Sequence, residues 1–269
     1  MVMALADLTD VAGSPVLFLS PHPDDAVLSC GALLRTLAAT TAVTVLTVFT
    51  TGSPPPHTYA ARSFLRSCAT PDAATLFAVR RAEDEQVCGG LGAALEHLGY
   101  PDALFRRRAA GPLLSRYAGW VPPELWHRYP TYRFDVALGR ISRADHALIA
   151  SLGDAVAERM RSSGARAVFC PVGVGRHVDH LIVRAVGERF AGSVVYYADF
   201  PYNQRSRPDP RFLARHGLTA RSWTRGLAGK EELIRGYRSQ LAGLFPSGRI
   251  PLVPEIYYLP ASSAATSAR

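Results

Sequence analysis

Val16-Leu17-Phe18-Leu19-Ser20-Pro21-His22-Pro23-Asp24-Asp25 is the stretch on which the fold of this 269-residue chain turns. Four apolar residues in a row, broken by Ser and Pro, read as a short buried strand. The strand hands one imidazole and two carboxylates to its carboxyl end. Open α/β folds keep their active sites at that rim, so the segment reads as half of a metal or proton-handling site.

A catalytic zinc takes three protein ligands from different elements and keeps a fourth position for water, so the other half should lie far along the chain. Ala167-Val168-Phe169-Cys170 is a second apolar run. It leads through Pro171, Gly173 and Gly175 into His177-Val178-Asp179-His180. With His180 opening the helix that continues through Leu181-Ile182-Val183, His177 lies three residues earlier in the entry loop and can face the same cavity.

Around these two segments, strand and helix patterns alternate as a Rossmann-like α/β fold requires: a mostly parallel sheet with helices on both faces. Helical stretches are expected within 31–37, over 78–91, over 145–162 with a stop at Gly164, and over 230–244. Further strands are expected over 43–49, near His97-Leu98, and over 193–197. Residues 51–72, with Pro54-Pro55-Pro56, read as a long loop carrying a short helix. Residues 106–142, rich in aromatics and proline, read as a second long loop, and loops of that length are usually functional. The whole chain, 1–269, reads as one domain with an Ala/Ser-rich, disordered tail over 261–269. No Gly-x-Gly-x-x-Gly follows the first strand, so a dinucleotide site is not supported.

Composition is that of an ordinary enzyme: 48% hydrophobic and 19% charged residues suffice for one full core. The net charge of +8 comes almost wholly from arginine, Lys230 being the only lysine. Such a bias fits a GC-rich genome as readily as an anionic ligand. Arg106-Arg107-Arg108 reads as a surface basic run, because it lacks the interleaved aromatics of a nucleic-acid site. Cys30, Cys68, Cys88 and Cys170 show no CxxC spacing and read as core thiols rather than disulfides or metal ligands. With neither a leader-like N-terminus nor a bilayer-length apolar stretch, the expected setting is cytoplasmic, with a small-molecule partner and no membrane insertion.

Taken together, Ser20-Pro21-His22-Pro23-Asp24-Asp25 and His177-x-x-His180 resemble the motifs of the zinc-dependent N-deacetylases of the LmbE-like, or PIG-L, family. Its members remove acetyl groups from N-acetylglucosamine units in phosphoinositides, in thiol-cofactor precursors such as that of mycothiol, and in antibiotics. The resemblance covers most of the chain. Arg80-Arg81-Ala82-Glu83-Asp84-Glu85 looks like the family's arginine-and-acid helix start, and Tyr197-Ala198-Asp199-Phe200-Pro201-Tyr202 resembles a late segment of its natural-product members.

What the resemblance implies is specific. His22, Asp25 and His180 become ligands of one Zn2+, a position that Fe2+ or Co2+ also fits. Asp24 becomes the general base, and His177 the group that stabilises the oxyanion as an imidazolium or protonates the departing nitrogen. Asp179 becomes a partner that fixes a histidine tautomer. Arg81, with Arg80 as its alternative, and Asp199 and Tyr202 become substrate contacts. The competing readings are a turn with a helix cap for His-Pro-Asp-Asp, a solvated ion-paired face for the arginines, and loop packing for Tyr202.

Two departures matter. The mycothiol-pathway enzymes carry a tyrosine where this chain has Gly175, so its role is either absent here or met by another tyrosine such as Tyr197 or Tyr202. The first motif also continues Ala26-Val27-Leu28-Ser29 rather than with an acidic residue. The expected activity is therefore removal of the N-acetyl group from an amino sugar in a glycosylated natural product. The alternatives are a mycothiol-conjugate type of amidase and a non-catalytic glycan-binding protein.

Overall fold

The computed structural model describes residues 8–108, apart from 12, and residues 120–260. Its described strands are β1 (Val16–Ser20), β2 (Val43–Thr51), β3 (Ala94–Pro101), β4 (Ala167–Pro171), β5 (Val194–Tyr197), β6 (Leu218–Trp223) and β7 (Glu255–Pro260). They form one sheet in the order β3-β2-β1-β4-β5-β7-β6. The first five run parallel, and β7 and β6 add an antiparallel edge.

Alternation along β1 divides the core. Val16 and Phe18 point to one face, where α1 (Asp25–Ala38) and α3 (Ala73–Leu91) cover them through Val27, Leu34, Val87 and Cys88. Leu17 and Leu19 point to the other, together with Leu46 and Val48 of β2. On the described chain that face is covered by α5 (His146–Ser163) through Leu152 and Val156, and by α6 (Val178–Gly187) through Ile182 and Val186. β1 and β4 are in register, with Phe18 opposite Phe169 and the two rings stacked at 4.2 Å.

Strand order reverses between β1 and β4, since the chain moves from β1 outward through β2 to β3 and then returns to the other side of β1. Loops leaving two neighbouring strands at such a point diverge and leave a crevice beyond their carboxyl ends. Both sequence motifs leave from these two strands.

Element ends follow local chemistry. Thr58 caps α2 (Tyr59–Ser67) by accepting from the Ala61 amide at 3.1 Å, and Asp72 caps α3 by accepting from the Thr75 amide at 2.7 Å. α3 starts at Ala73, five residues before the expected start. The late helix expected over 230–244 is two helices, α8 (Leu227–Arg235) and α9 (Arg238–Leu244). The break falls where Tyr237 turns inward and its hydroxyl donates to buried Asp84 at 2.8 Å. α4 (Tyr132–Leu138) and α7 (Pro210–Arg215) complete the described α-helices. None of the described helices is long and apolar enough to cross a membrane. The tail 261–269 lies outside the described residues.

Candidate active site

His22 and Asp24 occupy the turn after β1, and Asp25 opens α1. Asp24 has φ 126°, a conformation that side-chain-bearing residues rarely adopt. Its own carbonyl accepts from the Leu28 amide at 2.8 Å, and the Arg80 guanidinium lies 3.4 Å from its carboxylate and 3.1 Å from the Pro23 carbonyl. The strained turn thus points Asp24 away from Asp25.

After β4 the chain passes through Gly173, Gly175 and Arg176, all at positive φ, before His177 caps α6. This crowded entry delivers His177 and, one turn on, His180. His177 Nδ1 accepts the Asp179 amide at 3.2 Å, which leaves its Nε2 as the proton-bearing nitrogen of the neutral ring. The His22, His177 and His180 rings lie 5.0 to 5.4 Å apart, centre to centre.

One carboxylate oxygen joins two of these rings: Asp25 Oδ2 is 3.1 Å from His22 Nδ1 and 3.2 Å from His180 Nε2. Ligand atoms placed tetrahedrally at zinc distances stand about 3.3 Å apart, and both separations from Asp25 Oδ2 have that spacing, with all three atoms within 4.8 Å of one another. The remaining ring nitrogens are held by other acids. His180 Nδ1 meets Asp199 Oδ1 at 2.6 Å, while His22 Nε2 meets Asp179 Oδ2 at 3.1 Å and Asp102 Oδ2 at 3.2 Å. This is the carboxylate-histidine pairing that orients metal-bound imidazoles.

Charge favours the same reading. Burial opposes protonation of His22 and His180, but the surrounding carboxylates outweigh it. They raise His22 well above its ordinary range and His180 to about 10. The cluster favours positive charge where the two rings face Asp25, and a divalent cation would supply it in place of the two protons. A second trio, His22, His177 and Asp179, is also compact. Asp179, however, is already committed to the Arg106 guanidinium and to the Ala103 amide at 2.9 Å.

The two flanking groups are set differently. Burial pushes the Asp24 carboxyl up to about 7, against the opposing pull of Arg80. Burial first, then the charge of His22, pushes His177 down to about 3. These surroundings favour the neutral ring of His177 over the imidazolium that the resemblance implies.

The other expected contacts fall in varied places. Arg81 donates to the Thr50 carbonyl at 2.8 Å and is absent from the cavity wall; the arginine beside Asp24 is Arg80. Asp199 is buried behind His180, where its second oxygen accepts the Val174 amide at 2.7 Å, so it positions a histidine and has no surface for substrate. Tyr202 does line the cavity. A β-carbon on Gly175 would lie 3.4 Å from the Tyr202 side chain, so Tyr202 occupies the space beside that glycine. Tyr197 is spent on the Leu19 carbonyl at 2.7 Å.

Asp102, Tyr132 and Arg106 were not anticipated. Asp102 follows β3, and its arrival at the same sheet edge as the two motifs was the available signal. Tyr132 sets its ring edge-on to His177 at 5.1 Å. Arg106 is no surface residue: it is 3% exposed and bridges Asp179 to Asp145. The cavity that Asp102 and Tyr132 line with Leu28, Phe64, Phe200 and Leu244 has a volume of about 480 Å³.

Comparison with known proteins places this geometry. The profile of the family described as PIG-L: GlcNAc-PI de-N-acetylase matches residues 17–191. A curated relative, the 2'-N-acetylparomamine deacetylase of Streptomyces fradiae, is 31% identical over 199 residues, which are 72% of this chain and 60% of the relative. The chain thus matches less than two thirds of that protein's length. The fold is shared with a deacetylase of the teicoplanin biosynthesis pathway (TM-score 0.68, 21% identity, 91% of this chain and 97% of that one). It is shared too with the A40926 pseudoaglycone deacetylase Dbv21 (TM-score 0.64, 22% identity, 92% and 97%).

Proposed function

The chain belongs to the PIG-L family of GlcNAc-PI de-N-acetylases, and from that membership we propose that it is a zinc-dependent amide hydrolase acting on an N-acetylglucosamine-type sugar in a glycosylated natural product or its precursor. The observation that carries the reading is Asp25 Oδ2 shared between His22 Nδ1 and His180 Nε2, with a carboxylate behind each ring. The names of the relatives, which act in antibiotic assembly, support the substrate class. In this reading the enzyme works in the cytoplasm on a small molecule.

His22, Asp25 and His180 would hold the ion. When bound, it supplies Lewis acidity and brings the pKa of a water toward neutrality. Asp24, with its proton affinity near 7, accepts a proton from the attacking water as the new carbon–oxygen bond forms. The carbonyl π pair moves onto oxygen, where the His177 Nε2–H donates to the developing charge. Collapse restores the carbonyl and breaks the carbon–nitrogen bond. Asp24 returns its proton to the leaving amine, the acetic acid then gives up its remaining proton to that amine, and acetate and the amino sugar as its ammonium result.

The role of Arg80 is to temper Asp24. A buried carboxyl without a cation would stay protonated and could not act as a base, while a closer ion pair would make it too weak. At 3.4 Å the arginine holds it between these limits.

The test is release of primary amine and acetate from a panel of N-acetylglucosamine compounds: free sugar, nucleotide sugar, inositol conjugate, pseudodisaccharide and glycosylated peptide. Metal-loaded protein is compared with a chelated control. Metal-dependent release from any member supports the reading; release from none overturns it.

A further inference from the structure

We propose that this chain selects substrates whose amino sugar carries an uncharged aromatic aglycone, and that the aglycone seats in a hollow between α2 and α4. The inference rests on the deacetylase reading and names the substrate class for that site.

The catalytic cavity does not end at the histidines. Phe64, Ser67, Leu104 and Tyr132 are shared between its wall and that of a second hollow of about 600 Å³. The remaining residues around the second hollow are Tyr59, Ala60, Ser63, Thr131 and Phe134. Residues 60, 63, 64 and 67 fall at the i, i+3, i+4, i+7 spacing of one helix face, so α2 presents a continuous side to it.

None of these nine side chains is charged, and four are aromatic. A lone exposed aromatic is ordinary, but here Tyr59 is 67% exposed and Phe134 is 69% exposed at one rim, with Phe64 and Tyr132 below. Rings grouped around a hollow that shares four wall residues with a catalytic cavity are the composition of a ligand site. Glu124 accepts the Tyr59 amide at 2.9 Å and Arg66 lies 5.9 Å over the Tyr59 ring, but neither is among the nine lining residues. A polycationic aglycone would lose water against these walls and gain no counter-charge from them, whereas a flat apolar group would gain four rings to pack on.

The reacting acetyl group has two carbons and does not need 600 Å³. What remains to occupy the space is the group attached to the sugar. Tyr132 links the two sites physically, since the ring that walls the hollow also lies edge-on to His177.

The experiment compares kcat/KM of the metal-loaded full chain for four compounds: methyl, biphenylyl and aminohexyl β-N-acetylglucosaminides, and the methyl glycoside of N-octanoylglucosamine. Calorimetric binding of the biphenylyl and methyl glycosides is measured in parallel. The expected result is a preference of about tenfold or more for the biphenylyl over the methyl glycoside, with the aminohexyl compound no better than methyl. In Phe134→Ser and Tyr59→Ser, both exposed enough to leave folding intact, the biphenylyl-to-methyl ratio falls toward one in kinetics and in binding. Equal turnover of the biphenylyl and methyl glycosides, or a preference for the octanoyl compound alone, overturns the proposal and leaves the deacetylase reading standing. Absence of turnover, with tight biphenylyl binding that Phe134→Ser abolishes, does the reverse.

Discussion

His180 Nδ1 lies 2.6 Å from Asp199 Oδ1, and the other Asp199 oxygen takes the Val174 amide at 2.7 Å. One carboxylate therefore fixes both the tautomer of a ring that faces Asp25 and the loop that delivers it. Replacing such a partner commonly costs ten- to a hundredfold in metal affinity. Asp199→Asn is expected to weaken zinc binding by about that factor in a chelator competition. Unchanged affinity would remove Asp199 from the site.

Asp24 is not one of the three grouped donors, so its loss separates chemistry from metal binding. Asp24→Ala is expected to lower kcat by about 10² or more while zinc content, read by elemental analysis, stays at the wild-type level. A protein that only binds glycans would lose little in either measurement.

Arg106 neutralises Asp179, which has no access to water. Arg106→Gln removes the guanidinium from that carboxylate and leaves it only the His22 ring, 3.1 Å away, to pair with. The expected loss of stability is about 3 kcal/mol or more by urea denaturation, because an unpaired buried charge is far costlier than a lost surface pair. A change below about 1 kcal/mol would mean that water or another group reaches Asp179.

Burial, the larger cause, holds both His57 and His127 below the ordinary histidine pKa, with Arg107 adding to it at both and His127 at His57. The unfolded chain then binds more protons than the folded one as pH drops below about 6.5. The stability these two rings contribute is full above that value and is lost as pH falls toward their folded-state pKa values. In thermal melts between pH 7.5 and 5, His57→Gln should therefore gain stability relative to the unaltered chain as pH is lowered. An identical slope in the variant would show that His57 does not contribute.

Gly236 ends α8 at a point where a β-carbon would lie 2.3 Å from Val87 Cγ2. Gly236→Ala is therefore expected to destabilise by about 1–3 kcal/mol, even though its φ of −65° suits any residue. An unchanged melting temperature would mean that α3 and α8 move apart freely.

Much of this architecture is legible in one dimension because local pattern carries it. The apolar runs at 16–19 and 167–170 are buried parallel strands, and such strands have no polar face to obscure the signal. The segments that escaped notice are those whose cues are mixed. β6 and β7 form the antiparallel edge, with Arg221, Glu255 and Pro260 interrupting their apolar character. The single late helix was expected because 230–244 is helical in composition, and only packing against Val87 and Asp84 decides where it breaks.

The sequence by itself determined the parallel strands of the sheet, the two that bear the motifs among them, and the residue types that meet beyond them: imidazoles and carboxylates fixed to strand ends by short, Pro- and Gly-marked turns. The tertiary structure decided which of those groups does what. Asp102 lies 80 positions from His22 and Asp199 lies 174 from Asp25, and no local pattern reports that Asp102 stands behind His22 and Asp199 behind His180. Likewise Arg80 and Arg81 are neighbours in the chain, but a helix turns about 100° per residue, so one reaches Asp24 and the other the Thr50 carbonyl. Spacing along the chain sets what is available; only the packing of distant elements sets distance, burial and charge, and those fix the chemistry.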